Sequence, residues 1–337
     1  MKIDSAVFTN DLRDVGRLAA HAEQLGYDGL WTAEAGHDPY LPAALAATAT
    51  DHLTIGTNIA VAFPRSPLVH AQLAWDLQAA SHGRFILGLG TQVKGHNERR
   101  YSTPWTAPGP HLREMIQLIR HIWDVWQNGS KPGFQGKYYQ FSLMTPFFSP
   151  APLEWSHIPI YIAGVNPYMC RLVGELADGF HIHPFHSVKY IHETVLPNVE
   201  AGLKKSSRKR EDVTLATSAF VITGKNRDEI ERAKAGVRQQ ISFYASTRTY
   251  IAVLEAQGWG ETCYRLNEKA AKGDWAGMPS LITDEMLEVF AVEGTYSEVP
   301  GLLKKKYGGL IDRLGFYMPS RSGADDGTWS ELIAACR

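Results

Sequence analysis

The stretch that most constrains the fold of this chain is Leu53–Gln92, in which a strand pattern, a helix pattern and a second strand pattern follow one another. The two strand segments are Leu53–Ile59 and Arg84–Leu89, and Pro67–Ser81 between them repeats its apolar residues at helical spacing. The second strand is almost continuously apolar, which is typical of a parallel sheet covered by helices on both faces. This βαβ unit therefore predicts a parallel α/β fold with ligand sites at the carboxyl ends of its strands.

The same alternation recurs along the whole chain. Six further strands are predicted at Ile3–Phe8, Tyr27–Thr32, Pro159–Ala163, Gly179–His183, Val213–Ile222 and Gly309–Met318. Further helices are predicted at Leu12–Leu25, Pro42–Thr50, Pro108–Trp126, Tyr168–Ala177, Val188–Leu203, Asp228–Phe243 and Thr328–Cys336. Eight strand signals, most of them followed by a helix, favour a single (β/α)8 TIM-barrel domain over residues 1–337 rather than a doubly wound sheet.

Two segments interrupt the alternation. Gly129–Leu143 is rich in turn residues and has a hairpin-like pattern around Tyr138, Tyr139 and Phe141. Gly258–Met286 contains scattered Gly, Trp and Pro residues and fits neither the helical nor the strand period. We therefore expect an insertion or lid within residues 244–300, and we expect it to wall the ligand pocket.

Composition is typical of soluble globular proteins and gives no argument for nucleic acid or an acidic membrane surface as a partner. Apolar residues make up 44% and charged residues 20% of the sequence, and the formal net charge is −1.

The three cysteines, Cys170, Cys263 and Cys336, form no CxxC pair, and this sparse, odd number fits a reducing compartment. No signal-peptide pattern or apolar run of membrane-spanning length is found. We therefore expect a cytoplasmic protein without nucleic-acid or membrane partners.

Several predicted strands end in polar or small residues. Glu34 closes an otherwise apolar strand, and we interpret it either as a group that faces a cofactor or substrate or as a solvated loop residue. Thr57 and Asn58 lie inside a predicted central strand, where a ligand or the neighbouring backbone must supply their hydrogen-bond partners. Gly88-Leu89-Gly90 resembles the start of a dinucleotide-binding fingerprint, but the third glycine position is Val93, which disfavours a Rossmann site.

A small-residue turn and a histidine cluster are further candidate sites. Ala163–Pro167 is a strand-to-helix turn whose backbone N–H groups can approach an anion such as phosphate, although many such turns only reverse the chain. His181, His183 and His186 lie close together in sequence, but no HExxH or comparable spacing predicts a metal site. We interpret His183 either as a residue that faces cofactor or substrate or as a packing residue, and we expect no metal. A barrel without metal or nucleophile motifs favours a bound organic cofactor that carries the chemistry.

Four segments occur in order along the chain: EQLGYDGLWTAE, TIGTNIAVAFPRSP, GRFILGLGTQ and PIYIAGVNPYMCRLVGELADGF. In this combination they resemble the bacterial-luciferase-like flavin and deazaflavin oxidoreductases. The resemblance covers about Met1–His183 and returns at Gly309–Pro319. The segments AVAFPRSP, LGLGTQ and HDPYLPAALAA are most similar to the branch that uses the deazaflavin coenzyme F420.

This resemblance implies a (β/α)8 barrel with insertions, usually a homodimer, and a set of cofactor contacts. A non-prolyl cis peptide bond at the end of strand 3, here Asn58–Ile59, would lie behind the central ring of the cofactor. The acidic residue that closes strand 2 corresponds to Glu34, and the polar residue that ends strand 6 corresponds to His183. The other implied contacts lie at the end of strand 4 and in the phosphate turn, and they are Thr91, Gln92, Asn97, Ala163, Gly164, Val165 and Asn166.

The chain departs from the sugar-phosphate dehydrogenases of this family at two positions. Those enzymes have a His directly after the strand-2 acid and an acidic residue two positions after the strand-4 Thr, where this chain has Ala35 and Val93. Both differences argue against an alcohol-oxidising enzyme of that type. By position, the candidate acid/base groups are Glu34, His37 and His183.

Three functions are compatible with these residues. The first is an oxidoreductase that transfers a hydride between coenzyme F420 and a small organic substrate. The second is a two-component monooxygenase whose FMN is supplied in reduced form by a partner reductase, and the third is a protein that binds a flavin without turnover. The acidic tail of F420 would favour a basic groove, and the residues that either line it or are merely solvated are Arg65, Lys94, Arg99 and Arg100.

Overall fold

The computed structural model describes residues 1–317 and 324–337, and within them eight parallel strands close into a barrel. The last barrel strand pairs with the first, which confirms the predicted (β/α)8 architecture. The barrel strands are β1 (Lys2–Ala6), β2 (Gly29–Thr32), β3 (Thr54–Thr57), β5 (Phe85–Gly90), β8 (Ile160–Gly164), β9 (Gly179–Ile182), β10 (Thr214–Gly224) and β12 (Arg313–Tyr317). The other described strands are β4 (Ala60–Val61), β6 (Phe134–Gln135), β7 (Gln140–Phe141) and β11 (Ala291–Thr295).

Helices surround the barrel because one face of each is apolar. In the long helix α5, the buried residues Leu112, Ile116, Ile119 and Trp123 recur at intervals of three or four and pack inward. The helices of the described residues are α1 (Val15–Gln24), α2 (Tyr40–Thr48), α3 (Pro67–Ala80), α4 (Lys94–Arg99), α5 (Pro108–Asn128), α6 (Pro167–Leu176), α7 (Val188–Tyr190), α8 (Leu196–Lys205), α9 (Arg227–Ala245), α10 (Ile251–Glu255), α11 (Gly260–Ala271), α12 (Asp284–Phe290), α13 (Val299–Tyr307) and α14 (Asp326–Cys336). None of them is both long enough and apolar enough to cross a membrane.

A buried ion pair joins the first and last strands inside the barrel. Arg313 on β12 donates from Nε and Nη2 to the two carboxylate oxygens of Asp4 on β1, over 2.8 and 2.7 Å. The indole Nε1 of Trp31 on β2 donates to the same carboxylate over 3.0 Å. Gly29 leaves room for this pair, because a Cβ there would lie 2.3 Å from Nη2 of Arg313. The bidentate, charge-assisted contact thus joins β1 and β12, and the indole of Trp31 adds β2 to it.

Residues 244–300, where an insertion or lid is expected, come after β10, which is longer than its neighbours. Its first part pairs with β9 and β12, whereas Phe220–Gly224 pairs in parallel with β11. Gly258–Met286, whose sequence fits neither period cleanly, contains α11 and the start of α12. The helical period is weak in the sequence because only Cys263 and Leu266 of α11 are buried.

Other boundaries follow the sequence more closely. The hairpin predicted within Gly129–Leu143 is confirmed as the antiparallel pair of β6 and β7. The predicted helix Val188–Leu203 contains a π-helical turn at Ile191–Val195. The third strand ends at Thr57 rather than at Ile59, because residues 58 and 59 leave the strand conformation before β4 begins at Ala60. The predicted end of the eighth strand at Met318 lies outside the described residues, as does Pro319.

Candidate active site at the barrel mouth

A bulge interrupts the edge of the barrel between β3 and β4. The peptide bond Asn58–Ile59 is cis, as the family resemblance implies. The backbone N–H of Asn58 donates to the carbonyl of Thr32 over 2.6 Å, and β4 then pairs with the end of β5. The side chain of Ile59 lies against Gly90, where a Cβ would come within 2.8 Å of it. The bulge therefore presents a half-buried Asn and Ile at the mouth of the barrel.

Thr57 takes its hydrogen bonds from the neighbouring backbone. Its hydroxyl donates to the carbonyl of Gly88 over 2.7 Å and accepts the N–H of Gly88 over 2.9 Å. A side chain at Gly88 would clash, because a Cβ there would lie 1.7 Å from the carbonyl oxygen of Thr57. The polar residue in the central strand is therefore satisfied without a ligand.

Glu34 is held in a network of hydrogen bonds below the bulge. Its carboxylate accepts the backbone N–H of Val61 over 2.7 Å and the hydroxyl of Tyr101 over 3.0 Å. It also pairs with the guanidinium of Arg65 through both oxygens, over 2.8 and 3.2 Å. The Glu34 side chain is 5% exposed. Both carboxylate oxygens are therefore occupied by donors that fix the backbone of β4.

The candidate basic groove is largely neutralised or solvated. Arg65 bonds to Asp38 over 2.6 Å in addition to Glu34, so two carboxylates balance its one positive charge. Lys94, Arg99 and Arg100 are exposed, and Arg100 donates to the carbonyl of Ala35. Arg65 therefore stabilises the residues around the bulge, whereas the other three cations lie at the surface.

The end of β5 continues into a tightly held loop. Gln92 has a φ of 55°, and its side-chain oxygen accepts the N–H of Val93 over 3.0 Å. The buried Asn97 donates to the carbonyls of Thr91 and Val93 over 2.9 and 3.2 Å. Its Oδ1 atom is buried and has no hydrogen-bond partner within residues 1–317 and 324–337. Asn97 therefore holds the loop after β5 through its amide N–H groups, and within the described residues its one oxygen stays unpaired.

The turn after β8 leads directly into α6. Asn166 caps this helix by accepting the N–H of Met169 over 3.1 Å, and the hydroxyl of Tyr190 donates to the carbonyl of Val165 over 2.7 Å. Gly164 cannot carry a side chain without moving Met169, since a Cβ there would lie 2.4 Å from the Met169 Cβ. Ala163, Gly164 and Val165 are half-buried and form a small-residue turn at a helix N-terminus. Such turns bind phosphate through backbone N–H groups.

The three histidines of the predicted cluster occupy different environments. Inside the barrel, His181 is buried with its ring edge-on to Trp31, and burial lowers its pKa to about 3. His186 uses both ring nitrogens, because Nδ1 donates to the carbonyl of His183 over 2.8 Å and Nε2 accepts from Tyr307 over 3.2 Å. Burial lowers the pKa of His186 to about 4. Within the described residues, no group of three or more His, Cys, Asp or Glu side chains is arranged to hold a metal ion.

His183 is the histidine of this cluster that lies at the mouth. The N–H of Phe185 donates to its Nδ1 over 3.1 Å, so the proton of the neutral ring is on Nε2. Its ring stacks on Tyr250 at 4.4 Å and meets Tyr244 edge-on at 4.6 Å. Burial lowers the pKa of His183, so the imidazole is neutral at physiological pH. His183 is therefore a hydrogen-bond donor rather than a cation.

Four rings form what we call the aromatic wall: His183, Tyr244, Tyr250 and Tyr317. Each of these side chains is half-buried. Residues of the insertion supply Tyr244 and Tyr250, and Tyr317 ends β12. None of the three tyrosines is predicted from the sequence as a site residue, although Tyr317 lies at the end of a predicted strand. His37 is exposed in the loop after β2.

The chain is similar to several known proteins along most of its length. The luciferase-like monooxygenase family matches residues 2–313. An uncharacterized protein of Mycobacterium tuberculosis is 42% identical over 314 residues, which cover 93% of this chain and 92% of that protein. The 5,10-methylenetetrahydromethanopterin reductase of Archaeoglobus fulgidus is 28% identical over 285 residues, which cover 82% of this chain and 81% of that enzyme.

A solved structure has the same fold. The coenzyme F420-dependent tetrahydromethanopterin reductase from Methanopyrus kandleri superposes with a TM-score of 0.78 and 21% sequence identity, covering 98% of this chain and 96% of that one. The similarity therefore extends over nearly the whole chain. With a family match over nearly the whole length, this chain belongs to the luciferase-like monooxygenase family.

Proposed function

We propose that this protein transfers a hydride between coenzyme F420 and a small organic substrate. The proposal rests on two features at the same end of the barrel that can each contact a ligand. They are the bulge around Ile59 and the small-residue turn Ala163–Asn166. A flat ring can lie against the first while a phosphate binds the second. The reductase of Methanopyrus kandleri, which has the same fold, is described as F420-dependent, and this supports the choice of coenzyme.

The residues at the mouth fit a flavin or deazaflavin. Ile59 and Gly90 offer an apolar surface for the ring, and Thr91, Gln92 and Asn97 offer polar groups at its edge. Backbone N–H groups from Ala163 to Asn166, at the positive end of α6, would hold the phosphate of the coenzyme side chain. When bound, the coenzyme supplies the hydride, and the protein supplies orientation and a water-poor site.

The candidate acid/base residues have different roles in this proposal. Glu34 positions β4 and Arg65, because its oxygens already accept from Val61, Arg65 and Tyr101. His183 donates a hydrogen bond from Nε2 to the cofactor or the substrate. His37 remains a candidate base by its place in the exposed loop after β2.

We further propose that the protein acts in the cytoplasm as a homodimer. Its three cysteines are free and buried, which is compatible with a reducing compartment. Leu41 and Leu45 on α2 and Val69 on α3 are 57%, 40% and 40% exposed. These neighbouring helices pack together, so their exposed apolar side chains support a contact between two copies.

An FMN-dependent monooxygenase is the second candidate, because the family that matches is named for monooxygenases. In that case a partner reductase would supply the reduced flavin, which then reacts with oxygen. FMN has a nitrogen at ring position 5, which supports oxygen chemistry, whereas the carbon at this position in F420 restricts the molecule to hydride transfer. Non-catalytic flavin binding is the third candidate function. A bound ligand that is neither oxidised nor reduced by any electron donor or acceptor would support it.

A fluorescence titration tests the proposal. Purified apoprotein is titrated with oxidised F420 and, separately, with FMN. We expect F420 to bind at least tenfold more tightly than FMN, and the reverse preference would overturn the proposal in favour of the monooxygenase. Gly164→Ala should weaken F420 binding at least tenfold, because the new methyl displaces Met169. The matched control Gly236→Ala, in α9 with nothing within 4 Å of the added Cβ, should bind F420 like the wild type.

A further inference from the structure

Two tyrosine hydroxyls at the mouth have no role in the function proposed above. The Oη atoms of Tyr244 and Tyr317 are 2.5 Å apart. Tyr317 ends the described part of β12, and Tyr244 lies in the last turn of α9. The fold thus brings together two phenols that are 73 positions apart in sequence.

One hydroxyl proton of this pair is left over. When one phenol donates to the other, the oxygen–oxygen contact uses a single proton, and the accepting phenol keeps its own O–H. Within the described residues, neither hydroxyl has another hydrogen-bond partner. Because both side chains are half-buried, the remaining O–H is available to a ligand at the mouth.

The pair lies across the mouth from the bulge. In the order β1, β2, β3, β5, β8, β9, β10, β12, the strand β10 is four places from β3, which is halfway around an eight-stranded barrel. Phe220 on β10 packs edge-on against Tyr317 at 4.9 Å, and its ring is 6.5 Å from that of Tyr244. Strand β12, which carries Tyr317, is three places from β3 in the other direction, so the two hydroxyls lie on the opposite side of the barrel from the bulge.

The surroundings of the pair suit a flat, conjugated molecule. His183 and Tyr250 stack 4.4 Å apart with 27° between their planes, and Tyr244 stands edge-on to His183. Stacked and edge-on aromatic surfaces favour planar, polarisable partners over saturated chains. The wall also supplies the Nε2–H of His183 as a second donor.

The other candidate proton donors are less suitable. The oxygens of Glu34 are occupied by Val61, Arg65 and Tyr101. Burial keeps His183 neutral, so it lacks the proton that an imidazolium would give. By contrast, burial and the neighbouring Tyr244 raise the pKa of Tyr317, which keeps its phenol protonated over the whole neutral range.

We propose that the Tyr244–Tyr317 pair is the proton donor in the reduction of a conjugated aldehyde or ketone, an inference that rests on the proposed F420 function. A hydride from the reduced deazaflavin forms a C–H bond at the carbonyl carbon as the C=O π bond breaks. The tyrosine proton moves to the carbonyl oxygen, so the products are an alcohol and oxidised coenzyme. The tyrosine that gave its proton regains one from its partner hydroxyl, which water reprotonates.

The test uses 4-dimethylaminocinnamaldehyde, a conjugated aldehyde whose absorption shifts to the red when its carbonyl oxygen accepts a strong hydrogen bond. The probe is added to the full-length protein loaded with oxidised F420, so that no turnover occurs. We expect a red shift with the wild type, and its loss in Tyr244→Phe and Tyr317→Phe. Single-turnover reduction of the probe by reduced F420 should fall about 10²- to 10³-fold in both variants. Tyr264→Phe, which removes an exposed hydroxyl from α11, should behave like the wild type.

The outcomes separate the two proposals. If the wild type does not bind F420, the proposed function fails. If F420 binds but the wild type gives no red shift, or the two variants keep the shift and the rate, the tyrosine proposal is overturned and the function stands. If the variants do not fold, single-turnover reduction by the wild type is measured in H₂O and in D₂O. Transfer of a deuteron in the same step as the hydride should make the reaction about twofold or more slower in D₂O. An equal rate in the two solvents overturns the proposal.

Discussion

The carboxylate of Glu34 accepts hydrogen bonds at both of its oxygens. It is 5% exposed, and it holds the N–H of Val61 and the guanidinium of Arg65 in place beneath the bulge. A free catalytic base at this position would need an oxygen that faces the substrate. The bulge therefore depends on a charge network that its sequence position alone does not reveal.

We expect Glu34→Gln to lower the free energy of unfolding by about 1–3 kcal/mol, because it removes a buried negative charge from Arg65 and replaces one acceptor oxygen with a donor. Urea denaturation monitored by circular dichroism measures this loss. Asp38→Asn is the matched control, since Asp38 bonds the same guanidinium but is 37% exposed, and it should cost less than half as much. Equal losses in the two variants would contradict a structural role specific to Glu34.

Among the larger elements, α6 links the proposed phosphate turn to the outer layer of the barrel. Asn166 caps its first turn, and Asn226 caps α9 through an equivalent bond to the N–H of Glu229 over 3.0 Å. The two caps are chemically alike, but one follows Gly164 in the proposed phosphate turn and the other begins the helix after β10. They therefore separate a helix-capping effect from a ligand-binding effect.

Asn166→Ala and Asn226→Ala should each lower the free energy of unfolding by about 1 kcal/mol, which is typical for the loss of an N-cap side chain. In addition, Asn166→Ala should weaken F420 binding severalfold, because the N–H groups of the turn lose their fixed orientation. Thermal unfolding gives the first quantity and fluorescence titration the second. Unchanged F420 affinity in Asn166→Ala would argue against phosphate binding at this turn.

The sequence was sufficient to predict the elements whose signal is local. Arg84–Leu89 reads as a buried strand because its own residues are apolar, and α5 reads as a helix because its apolar residues repeat. The hydrogen-bond network of Glu34 and the contact between Tyr244 and Tyr317 join residues far apart in the chain. No local period indicates such contacts, because they exist only once the barrel is closed.

Strand β11 cannot be predicted from the sequence for a related reason. In β11, only Ala291 and Val292 are buried, so the strand has too few apolar residues to show a period of two. Its partner Phe220–Gly224 lies about 70 positions earlier in the chain. This strand exists because β10 extends beyond the barrel and offers a free edge, which is a property of the assembled sheet.

For the molecule as a whole, buried neutral histidines make stability depend on pH. His70, His181 and His186 are 0%, 3% and 2% exposed. Burial lowers their pKa values to about 4, 3 and 4, whereas each titrates near 6.5 in the unfolded chain. Between pH 6.5 and 4 the unfolded chain binds protons that the folded chain excludes, so stability is complete above this window and falls as the pH decreases through it.

We expect these three histidines to add a slope of about 4 kcal/mol per pH unit near pH 5, corresponding to nearly three protons taken up on unfolding. Urea denaturation at closely spaced pH values measures it. His70→Gln should reduce the slope by about 1.4 kcal/mol per pH unit, which corresponds to about one proton. A slope that is the same in wild type and His70→Gln would show that His70 titrates normally in the folded protein.

The buried pair of Asp4 and Arg313 has a consequence for how the protein is made. The two residues are 309 positions apart, so a ribosome that adds about 5–20 residues per second needs roughly 15–60 s to produce the second after the first. During that interval β1 has one unpaired edge and a carboxylate without its counter-charge, which exposes the nascent chain to misassociation. The barrel of this protein can therefore close only after synthesis has passed the last strand.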